Sequence, residues 1–323
     1  MISVAIATYN GEKYIIKQLE TIKNQTVKAD EVIICDDRSK DNTAKLIENF
    51  IKENDLNNWH LLVNESNKGY CLNFYDAIAK TTGDIIFLAD QDDMWFENKI
   101  EEMIKLYEDK EIMSVSCRYN LIDQNDNIIK ENPGIIFVGE KNDGTIEDIT
   151  VKSQVGCNYI RGCNMSFRKE IKDKISYEKA EVLLSHDWML SIAASLCGKN
   201  IYLNKYLASY RFHNSNASLS SVESKGIASV KSKRISGLEQ SISLYEFILD
   251  NKGIYPKLTD DLISDIAKQI KFEKDRLSFV KSENLFVWLK LFFSLDRYSR
   301  YHNSTKSGVR IWLGDLAYAF NKG

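Results

Sequence analysis

Proline is almost absent from this chain, which has two prolines in 323 residues. Long proline-rich linkers are therefore excluded, and the length suits one large or two ordinary domains. No apolar run reaches the roughly 20 residues that a membrane-spanning helix needs. The first residues follow a strand pattern, without the basic and apolar regions of a signal peptide, so we expect a cytoplasmic protein.

Paired cysteine motifs are also missing. The six cysteines are scattered without a CxxC pair, and several lie in apolar runs, where a free thiol behaves as a small hydrophobe. We predict reduced thiols and no disulfide framework. The net charge of −3 gives no general attraction to nucleic acid, so we predict no nucleic-acid partner.

Charge is distributed unevenly along the chain. Residues 216–323 hold 17 Lys and Arg against 12 Asp and Glu, whereas residues 1–215 hold 26 against 34. An acidic front and a basic tail indicate two modules with different partners. We therefore predict one domain over residues 1–215 and a second region over residues 216–323.

The front of the chain alternates between strand and helix patterns. Apolar runs predict strands at 2–7, 31–35, 59–63 and 84–89, separated by segments with helical spacing. This alternation predicts an α/β fold with a Rossmann-like, mostly parallel sheet flanked by helices. Later patterns predict a helix at 97–107, strands at 112–117 and 206–212, and long helices at 237–250 and 258–280.

Polar and acidic residues follow three of the predicted strands. The first strand runs into Thr8-Tyr9-Asn10, the second into Asp36-Asp37 and the fourth into Asp90-Gln91-Asp92-Asp93. Acids packed this closely repel one another, so the plain inference is a divalent cation between them, which in turn holds phosphates. A solvated acidic turn before a helix N-terminus is the simpler alternative.

The strand ends also suggest a nucleotide site, because the carboxyl ends of strands form the ligand edge of an α/β sheet. No GxGxxG or GKT/S loop follows the first strand, which argues against dinucleotide and P-loop sites. A nucleotide would instead meet the ring of Tyr9, the carboxylate of Asp37 and a metal at its diphosphate. Considered singly, Tyr9 could be a packing residue and Asp37 a turn former. Considered together at one edge of the sheet, the two residues favour a nucleotide site.

Several motifs in a fixed order make the chain resemble the family 2 glycosyltransferases, whose nucleotide-sugar-binding fold is called GT-A. The matching segments are 3–10, 33–43, 67–69, 83–95, 161–168, 186–188 and 210–213. Segment 88–93, together with the His-Asp-Trp and Tyr-Arg-x-His motifs, is most similar to the bacterial rhamnosyltransferases. The chain departs from the family at Arg38, where glycine is usual, and at Glu97, where proline is common.

The resemblance implies an inverting transfer of a sugar from a nucleotide-diphosphate sugar to a hydroxyl of a growing, lipid-linked bacterial surface polysaccharide. The sugar would be L-rhamnose from dTDP-rhamnose or a hexose from a UDP-sugar. Asp187 would be the general base, and Asp92 would bind Mn²⁺ or Mg²⁺. His213 would be a further metal ligand or a diphosphate contact, or else a strand-end residue bonded to backbone. The implied nucleotide-sugar contacts are Ala7, Thr8, Tyr9, Asp37, Gly69, Asp90 and Arg161.

Two other functions fit parts of the pattern. A nucleotidyltransferase also joins a Rossmann-like sheet to metal-binding acids, but it is expected to carry a glycine-rich, basic phosphate loop, and residues 7–11 do not form one. A non-catalytic scaffold that binds nucleotide sugars is the third interpretation. The pairing of Asp92 with Asp187 favours an enzyme over it.

Basic residues alternate with aromatic residues near the end of the chain. Residues 285–293 are apolar nearly all round but too short to span a bilayer. In this segment and just after it, the basic residues Lys290 and Arg297 alternate with the aromatic residues Trp288 and Tyr298. This pattern suits a helix lying on the anionic inner face of the plasma membrane, where a lipid-linked acceptor would be found. Packing against the catalytic domain, or against a second subunit in a homo-oligomer, is the alternative.

Overall fold

The computed structural model of the chain describes residues 1–130, 142–156, 160–175, 186–213, 227–299 and 305–320. The chain divides into two compact units. The first contains residues 1–149, 159–181 and 185–213, and the second contains residues 150–158, 182–184 and 214–323. The domain boundary predicted after residue 215 falls outside the described residues.

Four parallel strands form the front half of the sheet in the first unit. They are β1 Ile2–Thr8, β2 Glu31–Asp36, β3 Trp59–Val63 and β4 Ile85–Asp90, in the order β3-β2-β1-β4. Helices α1 Ile15–Lys23, α2 Thr43–Glu53 and α3 Tyr70–Lys80 connect them. Every residue of β1 is buried, as expected of an apolar strand in a sheet with helices on its faces. The carboxyl ends of these strands therefore meet at one edge.

The other half of the sheet is mixed. Strand β8 Met165–Arg168 lies antiparallel between β4 and β6 Ile112–Ile122. Strand β9 Lys199–Arg211 runs parallel to β6, and β5 Met94–Trp95 and β7 Ile146–Asp148 pair antiparallel with β9. Three further helices complete the unit: α4 Lys99–Ile104, α6 Lys169–Lys172 and α7 His186–Cys197. The predicted α/β fold is confirmed.

Several element boundaries differ from those predicted. Helix α4 is shorter than the helix predicted over 97–107 and passes into a 3-10 turn at Lys105–Glu108. Strands β6 and β9 are longer than predicted, because they pair with each other past a register shift at Cys117/Arg118. A polar residue such as Arg118 can continue a strand there, since the partner strand satisfies its backbone groups.

The turn after β2 holds Arg38 in the left-handed region, with a φ of 60°. This is the position at which the resembled family usually has glycine, the residue that adopts such a φ without steric cost. The Arg38 guanidinium donates a hydrogen bond to the carbonyl oxygen of Glu65. The turn therefore keeps a glycine-like shape, with some strain in the arginine backbone.

The second unit is helical. It contains α5 Val151–Gln154, α8 Ile227–Asp250, α9 Asp260–Ser282, α10 Leu285–Leu291, α11 Leu295–Ser299 and α12 Thr305–Phe320. Thr259 caps α9 by accepting a hydrogen bond from the N–H of Leu262, and Asp260 and Asp261 stand in the first turn, where acids stabilise the helix dipole. Within the described ranges, none of the helices combines the length and apolarity needed to cross a membrane.

A buried cluster of charges joins the helices of the second unit. Asp315 of α12 accepts hydrogen bonds from Arg276 of α9 at 2.8 Å and from Arg234 of α8 at 2.7 Å, and the Tyr298 hydroxyl donates to it at 2.8 Å. Arg276 also pairs with Glu273 at 3.2 Å. Burial alone would raise the pKa of Asp315, but the two guanidinium groups hold that pKa below its usual value.

Replacing Asp315 by asparagine is expected to lower the free energy of unfolding by about 3–5 kcal/mol, because the buried guanidinium groups lose their counter-charge. Urea unfolding followed by circular dichroism measures the loss. The matched control is Glu246→Gln, which removes an exposed ion pair with Lys274 in the same unit and should cost less than about 1 kcal/mol. Equal losses in the two variants would contradict the importance of the buried cluster.

Candidate active site

Asp36 organises the turn after β2 from inside the protein. Its carboxylate accepts hydrogen bonds from the hydroxyl of Thr8 at 2.8 Å and from the N–H and hydroxyl of Ser39 at 2.8 and 2.6 Å. Thr8 is 1% exposed and Ala7 is 8% exposed. These two predicted nucleotide contacts are therefore buried at the end of β1, and the Thr8 hydroxyl is engaged by Asp36.

Asp37 fixes the loop that precedes α3. Its carboxylate accepts hydrogen bonds from the N–H groups of Lys68 and Gly69, both at 2.8 Å, and from the side-chain amide of Asn64 at 3.0 Å. Gly69 has a φ of 86°, a conformation that favours glycine. The structure thus brings Asp37 and Gly69 together. It gives Asp37 a loop-ordering role in addition to its predicted contact with a base.

Tyr9 and Gln91 join the ends of β1 and β4. The N–H of Tyr9 donates to Oε1 of Gln91 at 2.8 Å, and Nε2 of Gln91 donates to the carbonyl of Tyr9 at 3.0 Å. A Cβ on Gly11 would lie 2.2 Å from Oε1 of Gln91, so a larger residue there would displace the Gln91 amide from Tyr9. The Tyr9 ring is 39% exposed and accessible to a base. The sequence analysis did not assign this role to Gln91. Its amide stands between the carboxylates of Asp90 and Asp92, and that position could have indicated a hydrogen-bonding role.

Asp92 and His213, the two predicted metal ligands, meet beside the strand ends. Nε2 of His213 lies 2.8 Å from Oδ2 of Asp92, and each side chain is 13% exposed. The ring of Tyr14 lies 5.2 Å from the imidazole of His213, centroid to centroid. A carboxylate oxygen and an imidazole nitrogen at this separation are two adjacent donors that a divalent cation such as Mn²⁺ accepts.

Arg211 holds this pair in place, a role that the sequence analysis did not assign. Its N–H donates to Oδ1 of Asp93 at 2.8 Å, and its Nε donates to the carbonyl of Asp92 at 2.7 Å. Its Nη1 bonds to the turn at 123–126. The side chain is fully buried. One arginine therefore fixes both the acidic turn and the strand end that carries His213, and its position inside an apolar strand pattern was the available indication.

Asp90 and Asp93 form an inner acidic pair. Burial raises the pKa of Asp90 to about 7, and the negative charges of Asp92 and Asp187 add to this rise. Burial also raises the pKa of Asp93 well above its usual value. One potential ligand atom from each of Asp90, Asp93 and Cys163 lies within 4.8 Å of the others. This is a second set of donors for a metal ion.

Asp187 lies in the first turn of α7. Its Oδ1 accepts a hydrogen bond from the N–H of Trp188 at 2.7 Å, and its Oδ2 accepts one from the N–H of Gly162 at 3.2 Å. Gly162 lies three residues before β8, which runs antiparallel to β4 and begins beside the end of β4 that leads into Asp90. After burial, the negative charges of Asp92 and Asp187 also raise the pKa of Asp90. The predicted base and the predicted metal ligand therefore share one end of the sheet.

Arg161 brings a positive charge to the same region. Its Nε donates a hydrogen bond to the hydroxyl of Tyr119 at 3.1 Å, and its guanidinium lies 5.1 Å from the ring centroid of Tyr210. Its charge opposes the rise in the pKa of Asp90. The structure thus places Arg161 beside the acids, as a contact with a diphosphate requires.

His186 is a buried neighbour of Asp187. Its ring stacks on Phe74 at 3.9 Å between centroids, and neither ring nitrogen has a hydrogen-bond partner among the described residues. A Cβ on Gly162 would lie 2.8 Å from its Nε2, so the packing leaves no room there. Burial lowers the pKa of His186 to about 4. The imidazole is therefore neutral at pH 7 and serves in packing.

The neutral His186 is expected to make stability depend on pH. Its pKa is about 4 when folded, against an ordinary value of 6.5. The unfolded chain therefore binds more protons between these values, and the free energy of unfolding falls as the pH drops. Relative to a His186→Phe variant, the protein should lose about 3 kcal/mol between pH 7 and pH 4. Urea unfolding across this range measures the difference, and parallel stability curves would contradict it.

The chain is similar to known glycosyltransferases. Residues 3–175 match the model of Glycosyl transferase family 2. The uncharacterized glycosyltransferase alr2836 of Nostoc sp. is 22% identical over 74% of this chain and 73% of its own length. The UDP-Glc:alpha-D-GlcNAc-diphosphoundecaprenol beta-1,3-glucosyltransferase WfgD of Escherichia coli is 30% identical over 39% of this chain and 48% of its own length.

Solved structures share the fold. S. aureus TarS 1–349 in complex with UDP-GlcNAc aligns with a TM-score of 0.60 at 15% identity, over 99% of this chain and 89% of that chain. The mannosyltransferase PcManGT from Pyrobaculum calidifontis, in complex with GDP-Man and Mn²⁺, aligns with a TM-score of 0.53 at 14% identity, over 98% and 84%. Identities this low show the fold alone. Since the family model covers more than half of the residues, the chain belongs to glycosyl transferase family 2.

Proposed function

We propose that this protein is an inverting glycosyltransferase that moves a sugar from a nucleotide-diphosphate sugar to a hydroxyl of a growing bacterial surface polysaccharide. One observation carries the proposal: Asp187 bonds to the N–H of Gly162, which leads into β8 beside the end of β4 that runs into Asp92. The displacement needs a base for the acceptor hydroxyl and a cation for the leaving diphosphate. Asp187 and Asp92 supply these two functions at one edge of the sheet.

A UDP-sugar is the donor that we propose first. WfgD is named for UDP-Glc, and the TarS structure holds UDP-GlcNAc. Neither is a rhamnosyltransferase, so these relatives favour a UDP-hexose over the dTDP-rhamnose that the sequence motifs suggest. The name of WfgD also gives a diphosphoundecaprenol-linked acceptor. A lipid-linked glycan at the inner face of the plasma membrane is accordingly the acceptor that we propose.

Asp92 and His213 fit a divalent cation. Their donor atoms are 2.8 Å apart, and a carboxylate with an imidazole suits Mn²⁺, whereas Mg²⁺ would depend on Asp92 and water. When bound, the cation would neutralise the leaving diphosphate. The inner set of Asp90, Asp93 and Cys163 fits less well, because burial raises the pKa of all three groups and so makes each harder to deprotonate.

Asp187 would accept the proton of the acceptor hydroxyl. The acceptor oxygen attacks the anomeric carbon from the side opposite the diphosphate, the bond from that carbon to the diphosphate oxygen breaks, and the hydroxyl proton passes to Asp187. The N–H groups of Trp188 and Gly162 each bond to one carboxylate oxygen. They orient the carboxylate while leaving further lone pairs on both oxygens for the proton.

The two other interpretations predict different reactions. In this structure the backbone of Tyr9 bonds to Gln91, an arrangement unlike the phosphate loop that a nucleotidyltransferase is expected to carry. Such an enzyme would release pyrophosphate from a nucleoside triphosphate. A scaffold would bind a nucleotide sugar and leave it intact.

A panel of UDP-Glc, UDP-GlcNAc, GDP-Man and dTDP-rhamnose tests the proposal. With Mn²⁺, the correct donor at a hundred times its Kd should stabilise the protein by about 2.7 kcal/mol in a thermal-shift assay. Slow hydrolysis of that donor should stop when EDTA is added. Pyrophosphate release from a triphosphate, or stabilisation without any hydrolysis, would instead support one of the other two interpretations.

A further inference from the structure

Apolar side chains on α10 and the turn after it face solvent. Phe286 and Phe293 are 84% and 87% exposed, and Leu285 and Leu289 are 50% and 52% exposed. Single exposed apolar residues are ordinary on a protein surface, whereas several within nine consecutive residues indicate an interaction site. We call these four residues the apolar row.

A cavity of about 520 Å³ lies beside the apolar row, and α9, α10 and α11 contribute its walls. Its apolar lining consists of Phe272, Val287, Leu291 and Phe293. Its charged lining consists of Lys268, Lys271, Lys290 and Arg297, with the acids Asp275 and Asp296. The cavity therefore combines an apolar wall with an excess of positive charge.

Three of the lining cations are available to a ligand. Lys268, Lys271 and Lys290 form no ion pair with the residues that the structure describes. Two other lysines of α9 do form ion pairs: Lys274 and Lys281 each bind a glutamate of α8, at 2.7 and 2.6 Å. Positive charge is thus left unpaired on the side of α9 that lines the cavity.

We propose that the cavity binds the phosphate headgroup of an anionic lipid while the apolar row enters the membrane interface. The phosphate would meet the three unpaired lysines, and the apolar wall would cover the glycerol and the first acyl carbons. Cations beside apolar groups are the combination that places a helix on an anionic bilayer. The volume lies within the range of sites that enclose a small ligand.

Charge argues against a second copy of this chain as the occupant. A two-fold contact through this face would bring the same three lysines of two molecules together, and like charges at an interface oppose association. An anionic bilayer complements both the lysines and the phenylalanines.

This surface would bring the enzyme to a lipid-linked acceptor, and in that role the lipid site rests on the proposed function. Lipid binding itself does not depend on that function. Vesicle binding is measured without donor or acceptor. If the protein binds vesicles but transfers no sugar, the proposed function is wrong and the lipid site stands. If it transfers sugar but does not bind vesicles, the lipid site is wrong and the proposed function stands.

Vesicle flotation of the full chain at 0.1 M NaCl is the first test. The protein should float with vesicles of phosphatidylcholine and phosphatidylglycerol at 7:3 and stay behind with phosphatidylcholine alone. The variant Lys268→Gln/Lys271→Gln/Lys290→Gln should bind the anionic vesicles on the order of a hundredfold more weakly, from the usual contribution of a basic residue near an anionic surface. Phe286→Ser/Phe293→Ser should also weaken binding, without changing the charge. Equal flotation with both kinds of vesicle, or none, would overturn the proposal.

A matched charge control separates the site from general attraction. The variant Lys252→Gln/Lys257→Gln/Lys274→Gln removes the same charge from the same unit, outside the cavity lining. It should bind within about threefold of the wild type, because surface attraction falls off with distance. If this control loses as much binding as the cavity variant, the cavity is not the site. Thermal melting of all variants identifies any that fail to fold.

A second measurement distinguishes a lipid from free phosphate. Dihexanoylphosphatidylglycerol below its micelle concentration should raise the Tm of the wild type and leave the Tm of the cavity variant unchanged. Inorganic phosphate at the same concentration should have no such effect. If inorganic phosphate raises the Tm equally and displaces the protein from vesicles, the cavity is a free-phosphate site and the lipid proposal fails.

Discussion

Asp187→Asn is expected to lower kcat by about 10²–10⁴-fold, the usual contribution of a general base. An amide cannot accept the hydroxyl proton. It can still accept the hydrogen bond from the N–H of Trp188, which is 2.7 Å from Oδ1 in the native protein. The fold and the donor site should therefore survive. Turnover of donor to acceptor measures kcat, and the thermal shift produced by donor with Mn²⁺ measures donor binding.

Asp84→Asn is the matched control for this variant. Asp84 is an exposed acid that precedes β4 at the end of the strand opposite to Asp90, and it pairs with the N-terminal amine and Lys169. Its loss should change kcat by less than about twofold, since exposed ion pairs contribute little. Near-native turnover by Asp187→Asn would remove Asp187 from the mechanism. A large loss of donor binding would show that its role is structural.

Asp92→Asn is expected to lower kcat/KM by at least about 10²-fold and to abolish stabilisation by donor with Mn²⁺, because it removes the carboxylate that we propose as the metal ligand. His213→Ala should weaken Mn²⁺ binding by about 10–100-fold, since the imidazole is the second donor. Mn²⁺ titration followed by electron paramagnetic resonance measures the ion without any turnover.

Asp93→Asn separates the two sets of donor atoms. Asp93 is buried, and its Oδ1 accepts a hydrogen bond from the N–H of Arg211. An amide oxygen can accept the same bond, so kcat/KM should fall by less than about tenfold. The reverse pattern, in which Asp93→Asn loses Mn²⁺ and Asp92→Asn keeps it, would place the ion between Asp90, Asp93 and Cys163. The assignment of Asp92 and His213 would then be wrong.

Local patterns predicted the front half of the sheet well. Strands β1 to β4 lie where apolar runs predicted them. Burial on both faces requires such runs in β1, β2 and β4, whereas the edge strand β3 is apolar although most of its residues are not buried. The acidic turn after β4 was also predicted. These features depend on a few consecutive residues, so a pattern of burial and polarity reports them.

The ends of β6 and β9 were predicted less well, because they depend on pairing between distant segments. The antiparallel position of β8 between β4 and β6 has the same origin. The residues of a short strand do not indicate which strands will pair with it, or whether the pairing will be parallel or antiparallel. Sequence patterns therefore predicted parts of β6 and β9 in this half of the sheet, but neither β5 and β7 nor the order of the strands.

The roles of individual polar residues also depended on the fold. The side chain of Thr8 faces inward to Asp36, and the carboxylate of Asp37 orders the loop before α3. Arg211 acquires its function only because β9 carries it beside Asp93. A polar residue in a pattern shows that a hydrogen-bond partner is needed, and only the structure shows which partner it has.

By itself the sequence determined the α/β class, the acidic edge of the sheet and the residue types that a sugar transfer needs, because each is written in short stretches of chain. Only the tertiary structure decided that His213 lies 2.8 Å from Asp92, 121 residues earlier in the chain, and that Asp187 bonds to Gly162 beside the end of β4. The physical reason is that a site assembled from distant strand ends depends on long-range strand pairing and helix packing. The local periodicity of the sequence does not indicate either of them.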